Sequence, residues 1–175
     1  MIRKRSSTLA AGVLLALAGC GDAPDQPSPA ETSASASRQD GVAERGAEVM
    51  PFDLERTTHR FAKTGTGGVQ TVVADDRHDA AQVTLIREHL GHEAERFRQG
   101  LFTDPARIHG QEMPGLAALR DSAGRIDVVY TDTPDGARIT YTTTETGLVT
   151  ALHAWFDAQV SDHGGHATPE PTPPT

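Results

Sequence analysis

The sequence predicts an α+β fold: a two-layer sandwich in which a four-stranded antiparallel sheet, built from two ββα units, carries its long helices on one face. Three observations point there. Two pairs of strand-like runs are each joined by a Gly-containing turn. Each pair is followed by a segment whose apolar residues recur at helical spacing. The two helical segments also share a short likeness, V-T-L-I-R-E-H-L at 83–90 against V-T-A-L-H-A-W-F at 149–156, at an offset of 66 residues.

In chain order, the first strand pair is T-H-R-F-A-K-T (58–64) and V-Q-T-V-V-A (69–74), around G-T-G-G. Asp79 then caps a helix, with Gln82 placed three residues on as the partner of a capping box. That helix runs to about Gln99 and stops at Gly100, with Val83, Ile86, Leu90, Ala94 and Phe97 forming one stripe. Residues 101–113 read as a loop, and Pro114 opens a short helix, P-G-L-A-A-L-R. The second pair is R-I-D-V-V-Y-T (125–131) and A-R-I-T-Y-T-T (137–143), around T-P-D-G. A last helix runs from about Glu145 to Asp162 and ends at Gly164-Gly165. A hairpin alone is marginal, so each helix supplies the apolar stripe its strands need.

Outside this domain, composition sets the organisation. Residues 1–19 have a basic start, Arg3-Lys4-Arg5, then a short apolar run of small residues. The run is well under the ~20 residues a bilayer-spanning helix needs and matches a secretory signal. It leads into L-A-G-C, the bacterial lipobox, so Cys20 is the expected lipid-attachment point. Two or three acyl chains anchor a protein stably where one is marginal. The expected partner is therefore a lipid bilayer, and the expected location is the bacterial cell envelope, with the domain on the extracytoplasmic side. Residues 20–47, rich in Pro, Ser and Ala, read as a disordered tether. Residues 48–166 form the single α+β domain, and 167–175, A-T-P-E-P-T-P-P-T, read as a disordered tail.

Charge and cysteine content exclude several classes. The chain carries −8 at neutral pH; without the three N-terminal cations it has 13 basic against 24 acidic residues. So acidic a domain lacks the basic footprint that nucleic acid requires. Cys20 is the one cysteine, so the domain has no disulfide, thiolate metal site or catalytic thiol. Its two serines, Ser122 and Ser161, sit in no G-x-S-x-G.

Four stretches, M-P-F-D-L-E-R-T-T-H-R-F-A-K-T, G-G-V-Q-T-V-V-A, I-H-G-Q-E-M-P-G-L and A-L-H-A-W-F-D-A-Q-V-S-D-H-G, together resemble a family of short bacterial proteins often named aspartate carbamoyltransferase. The likeness spans about residues 50–166. By that name it implies transfer of a carbamoyl group, which the two-domain transferase achieves by holding carbamoyl phosphate at an S-T-R-T helix start. This chain contains no S-T-R-T, and the resemblance brings no functional residue with it.

Histidine is the remaining candidate chemistry. The domain holds all eight of the chain's histidines. His89 and His92 are surface neighbours on the first long helix, with His89 at the edge of the apolar stripe. His109 and Met113 lie four apart in I-H-G-Q-E-M-P-G. His163 continues the stripe of Leu152, Trp155, Phe156 and Gln159, with His153 on its flank. His59 and His78 read as surface strand and loop residues. Imidazole suits copper, zinc and nickel, and thioether favours Cu(I), so the expected ligand is copper before zinc, held by a subset of His89, His109, Met113, His153 and His163. The lead function is a lipid-anchored binding module. The alternatives are a small envelope enzyme, the carbamoyl transfer implied by the resemblance included, and a protein-interaction lipoprotein with no small ligand. Cys20→Ser should move the protein from the membrane to the soluble fraction and abolish incorporation of radiolabelled palmitate; retention on membranes would remove the anchor.

Overall fold

The computed structural model describes the backbone of residues 29–171 and the side chains from Thr32 onward. The signal segment and Cys20 lie outside the described residues, and among these no helix is long and apolar enough to cross a membrane. The elements are α1 (Pro29–Val49), a 3-10 turn (Leu54–Arg56), β1 (Thr57–Thr64), β2 (Gly67–Ala74), α2 (Ala80–Arg98), α3 (Thr103–His109), α4 (Leu116–Arg120), β3 (Asp127–Thr133), β4 (Gly136–Thr142), α5 (Thr146–His163), a 3-10 turn (Gly164–His166) and β5 (Ala167–Glu170).

The α+β class holds, with a larger sheet than the sequence predicts. The order is β3-β4-β2-β1-β5. The two hairpins pair antiparallel through β2 and β4, while β5 joins β1 in parallel, so the sheet has five strands and is mixed. The tail is where the prediction departs. Residues 167–170, part of the Pro-rich segment read as disordered, form the edge strand: Pro169 tolerates an edge, where a missing N–H costs little.

Pairing register places Thr57, His59 and Phe61 of β1 on the same face as Val72 and Ala74 of β2 and Ala137, Ile139 and Tyr141 of β4. That face carries the core. The two long helices cover it crosswise: α2 packs over β4 and β3, and α5 over β2, β1 and β5. Each helix therefore lies mainly on the other unit's hairpin. Most of the chain's few aromatic residues meet between the helices. Trp155 is edge-on to Phe97, Phe102 and Tyr141 at centroid distances of 6.0, 5.7 and 5.8 Å.

The Asp79 cap forms as predicted, its side chain accepting from the Gln82 N–H at 3.1 Å. Gln82 does not complete the box. Its amide instead makes a pair of 3.0 Å bonds with the backbone N–H and C=O of Asp53, pinning the turn before β1 to α2.

The predicted tether also departs. From residue 29 the chain is helical, with Pro29 at a first-turn position where its missing N–H is harmless. Over the first part of α1, Thr32 to Arg38, every side chain is exposed. Further on, Gln39, Val42, Gly46 and Val49 make a sparse stripe at helical spacing, with Val42 fully buried. This stripe docks on α3 and α5. A Pro/Ser/Ala segment with two valines cannot fold alone; the domain surface completes it.

Between α3 and α5, Gly115 starts α4 with φ +78°, and a Cβ there would stand 2.1 Å from the Ala151 carbonyl oxygen. The left-handed conformation alone costs an L-residue ~1–2 kcal/mol. Gly115→Ala should therefore lower unfolding free energy by at least about 2 kcal/mol in a urea titration, and an unchanged midpoint would refute the close approach of α4 to α5.

Candidate functional site

Four elements bring one histidine each to a single cavity: His59 from β1, His89 from α2, His109 from α3 and His163 from α5. The cavity has a volume of about 40 Å³, enough for roughly two or three water molecules. Met50 and Phe52, from the segment after α1, also line it. Three of the imidazoles touch through their rings. His59 lies parallel to His163 at 5.0 Å between centroids, and His109 stands edge-on to His163 at 4.9 Å, with planes 76° apart. Phe52 links His89 to them, 6.2 Å from His59 and 5.6 Å from His89.

Strand alternation turns His59 inward. It is 3% exposed, which overturns its reading as a surface residue. His163 continues the Trp155–Gln159 stripe of α5, as the spacing predicts. His109 closes α3, whose seven residues were expected as loop. The signal missed there is T-D-P-A: Pro105 fits the first turn of a helix, and Gly110, at φ +97°, ends it.

His109 is held from behind. Its Nδ1 lies 2.9 Å from Oδ2 of Asp162, both side chains being almost fully buried. A carboxylate can only accept, so Nδ1 carries a proton, and Nε2 is the nitrogen that offers a lone pair whenever the ring is neutral. Arg38 of α1 grips the same carboxylate, Nε to Oδ1 at 2.5 Å and Nη2 to Oδ2 at 2.9 Å. Burial opposes ionisation of Asp162, but the hydrogen bonds from His109 and Arg38 outweigh it and hold the carboxyl at about 2. Arg45 of α1 donates to the Ile108 carbonyl at 2.6 Å, and Gln39 to the Ser161 carbonyl at 2.9 Å. The predicted tether thus braces the residues beside both His109 and His163.

Burial, reinforced by the neighbouring imidazoles, depresses His59 to about 4 and His163 well below its ordinary value. Burial lowers His89 as well. At neutral pH these rings are uncharged and can offer lone pairs. On the α2 side, Glu93 is pushed up to about 8 by burial and by the charge of Asp104. Arg96 spans the two carboxyls, 2.7 Å from Asp104 and 3.3 Å from Glu93.

The other predicted ligands lie elsewhere. Met113 is buried in the hydrophobic core and does not line the cavity; the thioether that does belongs to Met50. His153 turns to the β1–β2 hairpin, its Nε2 within 3.0 Å of the Thr64 carbonyl and 2.9 Å of the Gly67 carbonyl. Two carbonyl acceptors require Nε2–H, so this histidine staples helix to hairpin. His78 and His92 are exposed. The structure therefore joins His89, His109 and His163 of the predicted set, adds His59, and leaves out Met113 and His153.

Three buried side-chain atoms have no hydrogen-bond partner among the described residues: Nδ1 of His59, Nε1 of Trp155 and Oε1 of Gln159. All three belong to residues lining this cavity. Among the described residues no three His, Cys, Asp or Glu side chains are already converged as they would be around an ion. Comparison with family models, curated proteins and solved structures finds no match to this chain.

The carboxyl of Glu93 makes the stability of the site pH-dependent. Its folded value, about 8, exceeds the ordinary 4.5, so between these limits the folded chain holds a proton that the unfolded chain has released. Stability falls as pH rises through that window, at up to about 1.4 kcal/mol per pH unit. His59, depressed from 6.5 to about 4, contributes the opposite slope below pH 6.5. His89 and His163, also depressed, add to that opposing slope, which fades only above pH 6.5 as the unfolded histidines lose their last protons. From pH 6.5 to 8 the unfolding free energy of the wild type should drop by about 1.5 kcal/mol relative to Glu93→Gln; parallel profiles for the two proteins would refute the buried protonated carboxyl.

Proposed function

We propose that this chain is a lipid-anchored envelope protein whose α+β domain binds a transition-metal ion, copper before zinc, through His59, His89, His109 and His163. The observation that carries this reading is the meeting of four imidazoles, from four elements, at one cavity in a domain without cysteine. Two imidazoles on one ion, each with its nitrogen about 2.0–2.1 Å away, have ring centroids about 5 Å apart, and the His59–His163 and His109–His163 pairs stand at 5.0 and 4.9 Å. Side-chain rotation then aims the nitrogens; the nearly parallel His59 and His163 rings cannot share an ion until one of them turns. Asp162 supplies the carboxylate that metal-bound histidines commonly engage through their second nitrogen. The depressed basicity of His59 and His163 leaves no proton for the ion to displace at neutral pH. Met50 adds a thioether at the wall, which suits Cu(I).

A second reading, a small envelope enzyme using His109 as general base, is favoured by the same His109–Asp162 contact. A cavity of this size would limit such an enzyme to very small substrates.

Addition of Cu(II) or Zn(II) at 100 times its Kd should stabilise protein purified without an affinity tag by about 2.7 kcal/mol, seen as a rise in melting temperature. His109→Gln/His163→Gln should lose the response, whereas Met113→Leu and His153→Gln should keep it. No shift with copper, zinc or nickel would end the metal reading.

A further inference from the structure

The α5 side of the cavity shows a second feature. Trp155 and Gln159 stand one turn apart on the helix, with His163 a turn further on, so their side chains are neighbours on one face. Trp155 is fully buried and Gln159 is 5% exposed. An indole N–H can only donate and an amide oxygen can only accept. Each buried polar atom left without a partner costs about 1–3 kcal/mol, so a donor and an acceptor unpartnered on residues one helical turn apart at one cavity define the chemistry that fits there. The complement accepts one hydrogen bond and donates another. The volume, about 40 Å³, limits it to a few heavy atoms. Water meets both demands, so a ligand that displaces it must reproduce both bonds; apolar gases satisfy neither atom. Azide and similar anions satisfy the indole and leave Gln159 unpaired.

We infer that Trp155 and Gln159 form a subsite for a small hydroxylic ligand of two or three heavy atoms, of the class of hydroxylamine or hydrogen peroxide, bridging the indole N–H and the amide oxygen. The subsite uses no residue of the proposed metal set and does not depend on that reading. If the ion binds, His163 places it one helical turn from the bridging molecule, and the cavity holds an ion and an exchangeable ligand together.

The chain contains one tryptophan, so a single indole resonance reports the subsite. Titrating hydroxylamine into the full-length, metal-free, ¹⁵N-labelled protein should move that resonance saturably. Gln159→Leu, of similar volume, should weaken binding at least tenfold, about 1.4 kcal/mol, while His153→Gln leaves it unchanged. Azide should move the resonance much less. An indole signal that stays fixed through the hydroxylamine titration overturns the inference, as does equal affinity in wild type and Gln159→Leu. The wild-type titration stands even if the variant does not fold. Indole movement without any metal response would leave the subsite and remove the metal reading; a metal response with a fixed indole would do the reverse.

Discussion

The carboxylate of Asp162 ties together three parts of the chain that nothing local would join. It sits in the last turn of α5, where the helix dipole disfavours negative charge, and its side chain is almost wholly buried. A lone carboxylate there would be costly. The forked guanidinium of Arg38 and the ring N–H of His109 together satisfy it, and charge-assisted bonds of this kind are the stronger ones. Three consequences follow from one group. The helix before the domain is docked, the tautomer of His109 is set, and the end of α5 is placed so that His163 faces the cavity.

Around that clamp the core changes character. Trp155, Phe97, Phe102 and Tyr141 fill the space between α2, α5 and the sheet with edge-on ring contacts, an arrangement aromatic quadrupoles favour. Toward the clamp, Phe52 and then imidazoles replace phenyl rings. The packing remains ring against ring, but the rings now carry nitrogen. Uncharged histidines can occupy such a place at neutral pH because burial itself suppresses their protonation. The protonated Glu93 beside Asp104 obeys the same rule from the acidic side. The site is thus a polar inclusion in an aromatic core, kept near neutrality by its surroundings, which is the condition for imidazoles and an amide to act as ligands.

Much of the framework is legible in the residues. The G-T-G-G and T-P-D-G turns mark both hairpins, Asp79 marks the start of α2, and the apolar stripes of α2 and α5 mark which faces turn inward. The errors have physical sources. Residues 29–47 look disordered because most of their helix is stabilised by nothing of its own; the stripe from Gln39 to Val49 gains its meaning only from the α3 and α5 surface it meets. Residues 167–170 look disordered because proline argues against strands, yet a parallel edge position accepts it. Gln82 fits a capping box on spacing, but the Asp53 backbone competes for its side chain and wins two hydrogen bonds.

The candidate site divides in the same way. Residue type with helical period singles out His89 and His163, and residue type in a Gly- and Pro-bounded turn singles out His109, but the same local signals offer Met113 and His153 as well. Whether His59 faces the core or solvent depends on which face of β1 the helices cover. Whether His153 belongs to the site depends on how close α5 comes to the first hairpin. Both are set by packing between segments far apart in sequence. For the same reason the sequence by itself determined the composition of this protein, its two hairpins and its amphipathic helices, while only the tertiary structure decided which imidazoles meet, since a shared cavity is made of residues that no local interaction brings together.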